Sequence, residues 1–213
     1  PKIRKLAKDI LQDPHEISIA ISKPAEKVVQ VAFNTYNSQK IGLVKHLLRF
    51  NDIPSLVIFA STKLKVKELT RELQREKMNA KPISSDLEQK DREDILREFK
   101  SRKLQILVAT DVISRGIDID NIDMVINYDV PNDAEDYIHR IGRTARASSE
   151  GEAVTFINEE DQFKFSKIEE LIGKPVRKIA LPEFLGEGPA YDPVKNKSKG
   201  KRSFGNKKGF KRR

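Results

Sequence analysis

The chain has 213 residues, with 41 Lys and Arg against 32 Asp and Glu, three His, and neither Cys nor Trp. Hydrophobic residues make up 38% of it, which is enough for the core of one ordinary domain with additional segments. The lack of Cys excludes a disulfide scaffold, a thiolate metal site and a cysteine nucleophile, and it suits a reducing compartment, so we expect a cytoplasmic protein. No apolar run approaches the ~20 residues that a membrane span requires, so we expect no membrane partner.

Residues 1–24 differ in kind from the rest of the chain. They hold a short helical pattern and then two turn signals, Asp13-Pro14 and Lys23-Pro24. We interpret them as the end of a preceding domain and an interdomain linker. A chain that opens within a helical pattern suggests a fragment of a longer protein.

From residue 25 to residue 182, short β-branched runs alternate with longer segments of helical period. This alternation is typical of a parallel sheet covered by helices. Seven strands are predicted, over residues 28–35, 55–60, 81–84, 105–110, 124–128, 152–158 and 176–181. The second and fourth are apolar throughout, so we expect central strands that are buried on both faces.

Apolar residues at three- and four-residue steps predict a helix in five of the longer connections. The stripes are Ile41, Val44 and Leu48; Val66, Leu69 and Leu73; Ile95, Leu96 and Phe99; Ala134, Tyr137, Ile138 and Ile141; and Phe163, Ile168 and Leu171. Gly142 follows the fourth stripe, where a left-handed cap commonly ends a helix, so Arg143 and Arg146 should lie in the next loop. The predicted fold is one α/β domain, a mostly parallel sheet with helices on both faces.

The net charge of +9 is concentrated at the C-terminal end. Residues 194–213 contain ten Lys or Arg and no acidic residue, which leaves 31 basic against 32 acidic side chains before them. Such a segment cannot bury enough apolar surface to fold by itself, and we predict a disordered basic tail over residues 183–213. Its charge, with Phe204 and Phe210 available for stacking, favours nucleic acid as a partner; a solubility or localisation tail is the alternative.

Four clusters of polar residues follow predicted strands or the helix after one, which is where open α/β sheets bind their ligands. Their sequences are VIFAST at 57–62, QKDR at 89–92, VATDVISRGID at 108–118 and YIHRIGRTAR at 137–146. In this order they resemble motif IV, the QxxR motif, motif V and motif VI of the C-terminal RecA-like domain of DEAD-box ATP-dependent RNA helicases. The resemblance covers residues 25–182 and implies a RecA-like fold of the P-loop NTPase type. The short tail makes the chain similar to the RhlE-type members.

The resemblance implies the C-terminal half of an enzyme that couples ATP binding and hydrolysis to local unwinding or remodelling of RNA. It assigns Arg143 and Arg146 to the γ-phosphate as catalytic residues, and paired arginines on a loop do suit a phosphate in a loose transition state. It also assigns Gly116 and Asp118 to ATP, the aspartate through a ribose hydroxyl. The alternatives are surface arginines paired with acids, a turn glycine and a turn aspartate.

The resemblance also implies two sets of contacts outside the nucleotide. Four residues would hold the RNA backbone without reading bases: Ser61, Gln89, Arg92 and Thr110. Gln89 has a second possible role as the capping-box partner of Asp86. Arg115 and His139 would contact the N-terminal RecA-like domain of the same polypeptide.

The chain has no GxxxxGK[ST] phosphate loop, no Asp-Glu-Ala-Asp and no Ser-Ala-Thr motif. We therefore expect ATP and Mg²⁺ to be held mainly by the N-terminal domain, and this chain alone, a monomer, to hydrolyse no ATP. The three His lack metal-ligand spacing and no nucleophile stands in relation to His139, so we predict neither a metal site nor a triad.

Two other functions stay open. One is a superfamily 2 motor that acts on DNA, although HRIGRTAR with His leading is closer to the DEAD-box form of motif VI. The other is a non-enzymatic RNA-binding module, although paired arginines after a helix end have no use in a pure binder.

Overall fold

Seven parallel strands form the centre of the computed structural model, which describes residues 28–110, 119, 122–144 and 151–194. The strands are β1 (Val28–Asn34), β2 (Leu56–Phe59), β3 (Ala80–Ile83), β4 (Ile106–Ala109), β5 (Met124–Asn127), β6 (Gly151–Ile157) and β7 (Arg177–Ile179). Their order across the sheet is β3-β4-β2-β5-β6-β1-β7. Every pair is parallel, as predicted, and all seven predicted strands are present. The predicted linker over residues 1–24 lies outside the described residues.

Among the described residues, five helices connect the strands, as the apolar stripes predict. They are α1 (Lys40–Phe50), α2 (Lys63–Arg75), α3 (Gln89–Lys100), α4 (Ala134–Ile141) and α5 (Gln162–Ile172), and a 3₁₀ helix (Glu183–Leu185) follows β7. In the described ranges, no helix is long and apolar enough to cross a bilayer.

The helices cover both faces of the sheet because the central strands are apolar on both sides. Leu56 and Ile58 of β2 point into the core beneath α1 and α2. Val57 and Phe59 point to the other face, where they pack with α3. The α4 and α5 helices bury their stripes on that second face against β1 and β6. All four residues of β2, β4 and β5 are buried, which confirms the second and fourth predicted strands as central.

Two local predictions about helices are wrong. Gly142 has φ −61° and ψ −13°, a right-handed conformation, because the chain continues to wind: the amides of Arg143 and Thr144 donate to the carbonyls three residues before them. The left-handed cap is at Gly173 instead, with φ 72° and ψ 14°. The buried stripe of α5 is also rotated, since Phe165, Ile168 and Ile172 are buried whereas Leu171 is 37% exposed.

Residues 181–192, which we call the C-terminal strap, fold against the domain although composition assigns most of them to the tail. The Gln39 amide donates to the carbonyls of Leu185 (2.8 Å) and Glu187 (3.0 Å). Gln162 binds the strap farther along, donating to the Ala190 carbonyl (2.7 Å) and accepting from the Asp192 amide (2.7 Å). These contacts attach the chain to the domain as far as Asp192, beyond the predicted boundary at residue 182.

Candidate functional site

The four residues predicted to hold RNA lie at the carboxyl ends of three adjacent strands. The Ala60 amide donates to the Ala109 carbonyl (2.9 Å), so Ser61 and Thr110 follow neighbouring strand ends. Ser61 is exposed and Thr110 is buried. Gln89 and Arg92 occupy the first turn of α3, which follows β3 on the other side of β4. The structure thus groups these four residues at the β3-β4-β2 part of the edge.

Arg92 and Gln89 differ in how they are held. Gln89 is exposed and donates to the Glu93 carboxylate (2.8 Å) one turn along the helix. The Nε of Arg92 is shielded from solvent and has no hydrogen-bond partner among the residues that the structure describes. The Arg92 side chain as a whole is half-buried, and its Nη1 donates to the Gln89 side-chain oxygen (3.4 Å), so the guanidinium can present its exposed part to an acceptor from outside the chain, such as a phosphate.

The capping-box role of Gln89 with Asp86 is wrong. Helix α3 begins after Glu88, and the side chain of Glu88 makes no capping hydrogen bond. Asp86 instead binds the ammonium of Lys63 and lies 3.7 Å from that of Lys67, both on α2. The hydrogen bond from Lys63 lowers the pKa of the Asp86 carboxyl. The side chain of Asp86 remains 45% exposed, so water competes for this cluster.

Asp129, just after β5, is a residue that the sequence analysis missed. Its carboxylate accepts hydrogen bonds from the Ser61 amide (2.9 Å), the Lys40 ammonium (3.0 Å) and the Lys65 ammonium (2.9 Å). Lys40 also donates to the Tyr128 carbonyl (2.8 Å) and is 1% exposed. A charged residue two positions after the buried strand β5 was the available signal. The carboxylate joins the first turns of α1 and α2 to the turn that holds Ser61.

Electrostatics keep this cluster ionised. Burial alone would raise the pKa of the Asp129 carboxyl, but the Lys40 charge, the Ser61 amide and Lys65 together hold it well below its ordinary value. Burial lowers the pKa of the Lys40 ammonium, and Asp129 opposes that shift. Burial also raises the pKa of the neighbouring Tyr128 to about 12, so its phenol stays neutral. The three donors offset the cost of burying a carboxylate.

Arg140, the first arginine of the 137–146 motif, is also buried, at 1% exposed. It donates to the Asn127 side-chain oxygen (2.8 Å) and to the Asp129 carbonyl (3.2 Å). Its guanidinium lies over the Phe59 ring, 4.9 Å from the centroid, in a cation–π contact. No role was predicted for Arg140. It connects α4 with the ends of β2 and β5.

Arg143 follows Gly142 in the turn that ends α4, as predicted, and is half-buried. It lines a small apolar cavity together with Phe59 and Ala109, and its carbonyl accepts from the Ile122 amide (3.3 Å). His139 is exposed on α4. The other predicted residues of the nucleotide side and of the interdomain contact lie outside the described residues: Arg115, Gly116, Asp118 and Arg146.

No three His, Cys, Asp or Glu side chains in the described part of the chain are arranged to hold a metal ion.

Comparisons with known proteins agree on one family. Residues 39–148 match the model of the helicase conserved C-terminal domain. The chain is 38% identical over 181 residues to the ATP-dependent RNA helicase DbpA of Bacillus subtilis, a match that covers 84% of this chain and 38% of that protein. The chain spans less than half the length of the curated relatives that it matches: it covers 38% of DbpA, and 30% and 35% of two other ATP-dependent RNA helicases, DeaD and CshA.

Solved structures share the fold. A DEAD box protein from the hyperthermophile Methanococcus jannaschii matches with a TM-score of 0.65 and 36% identity, covering 84% of this chain and 48% of that one. S. cerevisiae Dbp5 bound to RNA and ADP BeF3 matches with a TM-score of 0.71 and 26% identity, over 84% of this chain and 48% of that one. The chain therefore belongs to the family of helicase conserved C-terminal domains, in the RecA-like form found in DEAD-box RNA helicases.

Proposed function

We propose that this chain is the C-terminal half of an ATP-dependent RNA helicase, which couples ATP binding and hydrolysis to local unwinding or remodelling of RNA. The observation that carries the proposal is the grouping of Ser61, Thr110 and Arg92 at one part of the sheet edge. Arg143 lies at the end of α4, and Arg140 connects α4 to the same edge. Relatives that are named ATP-dependent RNA helicases support it, as does a similar protein solved with RNA and ADP BeF3.

On the RNA side, the four edge residues bind the backbone of one strand. The half-buried guanidinium of Arg92 donates to a phosphate, and the exposed amide of Gln89 and hydroxyl of Ser61 add polar contacts beside it. Contacts of this kind orient a strand but carry no base information, so binding should depend little on RNA sequence.

On the nucleotide side, the described residues fit an anionic group. Arg143 offers a planar, permanently charged donor beside the apolar wall formed by Phe59 and Ala109, where electrostatic contacts are stronger than in water. ATP supplies the phosphoryl group whose transfer to water drives the cycle. Arg143 and Arg146 neutralise the charge that develops on that group, while Gly116 and Asp118 contact the nucleotide. The N-terminal RecA-like domain of the same polypeptide holds Mg²⁺ and most of the ATP.

We also infer contacts with the N-terminal domain and a role for the basic tail. His139, exposed on α4, and Arg115 contact the N-terminal domain across the nucleotide. The polypeptide works as a cytoplasmic monomer. The composition of residues 194–213 supports a RhlE-like member of the family, whose basic tail adds sequence-independent attraction to RNA.

The test is ATP turnover by this chain joined to a DEAD-box N-terminal domain, measured with RNA, with DNA of the same sequence and without nucleic acid. We expect turnover that depends on RNA, and none from the chain alone. RNA binding without turnover would support the RNA-binding module instead. Equal stimulation by DNA would support the DNA motor.

A further inference from the structure

Asp129 is in contact with both halves of the proposed site. Its carbonyl accepts from Arg140, which lies three residues before Arg143 on the nucleotide side. Its carboxylate accepts from the amide of Ser61 on the RNA side. One residue, 3% exposed, therefore joins the end of α4 to the turn after β2.

Donors from three parts of the fold bind the Asp129 carboxylate. Lys40 reaches it from α1, Lys65 from α2 and the Ser61 amide from the turn between β2 and α2. The Tyr128 amide, one residue earlier, donates to the Phe59 carbonyl (2.9 Å), which fixes the backbone on that side. A carboxylate bound by three donors of which two are charged is held more tightly than one bound by neutral groups.

Stability alone gives little reason for this arrangement. A buried ion pair can often be replaced by apolar side chains of similar volume without loss of stability. Lys40 and Asp129 form such a pair, with Lys40 1% and Asp129 3% exposed. Its position beneath an RNA-side residue therefore points to a role in geometry.

We propose that Asp129 is a positioning residue that holds the Ser61 turn in register with the Arg140 end of α4, so that the RNA contact at Ser61 and the phosphate contact at Arg143 form together. The inference rests on the proposed function and names the residue through which its two sides are linked. Removal of the Asp129 carboxylate breaks only the RNA end of the link, because Arg140 binds the backbone carbonyl.

The test compares two double variants in the chain joined to its N-terminal RecA-like domain. Asp129→Leu with Lys40→Met removes the acceptor for Ser61 and the buried charge together. Asp129→Asn with Lys40→Met removes the same charge but keeps a side-chain oxygen for the Ser61 amide. The readout is the ratio of RNA affinities with and without a non-hydrolysable ATP analogue, for which linked sites typically give about 5- to 150-fold.

We expect the leucine variant to lower this ratio towards one and the asparagine variant to keep most of it, with thermal unfolding midpoints of the two alike. A leucine variant that keeps the wild-type ratio would overturn the inference. The proposed function itself would be overturned if the RNA affinity of the wild-type protein did not change with the ATP analogue and its ATP turnover did not change with RNA.

A second measurement needs no variant. Amide hydrogen exchange at residues 57–64 of the wild-type protein should slow when the ATP analogue binds in the absence of RNA, because the link would carry the ordering of α4 to the Ser61 amide. Exchange there that is unchanged by the analogue would also overturn the inference.

Discussion

Two carboxylates near the same edge of the sheet are each held by two lysines, yet they differ in burial. Asp129 lies between Lys40 and Lys65 with 4% of its side chain exposed. Asp86 lies near Lys63 and Lys67 with 45% exposed. Removing a buried charge from water is costly, whereas an exposed ion pair contributes little. The buried cluster therefore fixes the geometry of the edge. In the exposed cluster, the two lysines can exchange the Asp86 carboxylate for an incoming phosphate.

The sharpest way to separate the two clusters is to remove each carboxylate. Asp129→Ala leaves the Lys40 ammonium buried without its partner, and loss of one member of a buried pair typically costs about 3–5 kcal/mol. Asp86→Ala should leave the unfolding midpoint unchanged. Urea denaturation of both variants measures the difference, and equal midpoints would show that burial does not distinguish the clusters.

The pH dependence of stability should follow the buried carboxylate. The pKa of Asp129 in the folded chain lies below the ordinary value of 3.8, so Asp129 stabilises the fold above about pH 4, and that contribution declines as the pH falls further. The Asp129→Leu, Lys40→Met variant lacks this group. Its unfolding free energy should therefore fall less between pH 7 and pH 3 than that of the wild type. A wild-type loss no larger than that of the variant would contradict the assignment.

The exposed cluster should affect RNA affinity instead. Asp86→Asn frees two ammonium groups for phosphates, so the dissociation constant for single-stranded RNA should fall several-fold at low salt. The gain should vanish at high salt because exposed charges are screened. Glu170→Gln is the matched control, since it removes a carboxylate paired with Lys167 on α5. An equal gain from both variants would mean that only net charge matters.

The elements that could be predicted from the sequence are those encoded by local patterns. Apolar runs place β2 and β4 in the centre of the sheet, and motif spacing puts Ser61 and Thr110 at neighbouring strand ends. The partners of Asp129 and of Arg140 could not be predicted from local patterns, because those partners come from separate elements. The burial of both residues also depends on the assembled core. A carboxylate that follows the end of a buried strand is a signal, but it does not identify the donors.

The C-terminal strap shows the same limit. Its backbone is held by the side chains of Gln39 and Gln162, and Gln39 lies 146 residues from Leu185. Gly, Pro and acidic residues over 186–193 resemble a loop in composition, and no periodic pattern reveals the two glutamines as its partners. The right-handed Gly142 has a related cause, since whether a glycine ends a helix or continues it depends on the next hydrogen bonds.

The most direct test of the central claim is the RNA-stimulated ATP turnover of the joined protein with Arg143→Ala, beside Arg97→Ala as an exposed arginine of α3 that pairs with Asp94. If Arg143 stabilises the transferred phosphate, turnover at saturating RNA should fall by roughly 10³-fold or more while RNA binding persists, and the control should match the wild type. Unchanged turnover in Arg143→Ala would contradict the claim that this domain completes an ATPase site.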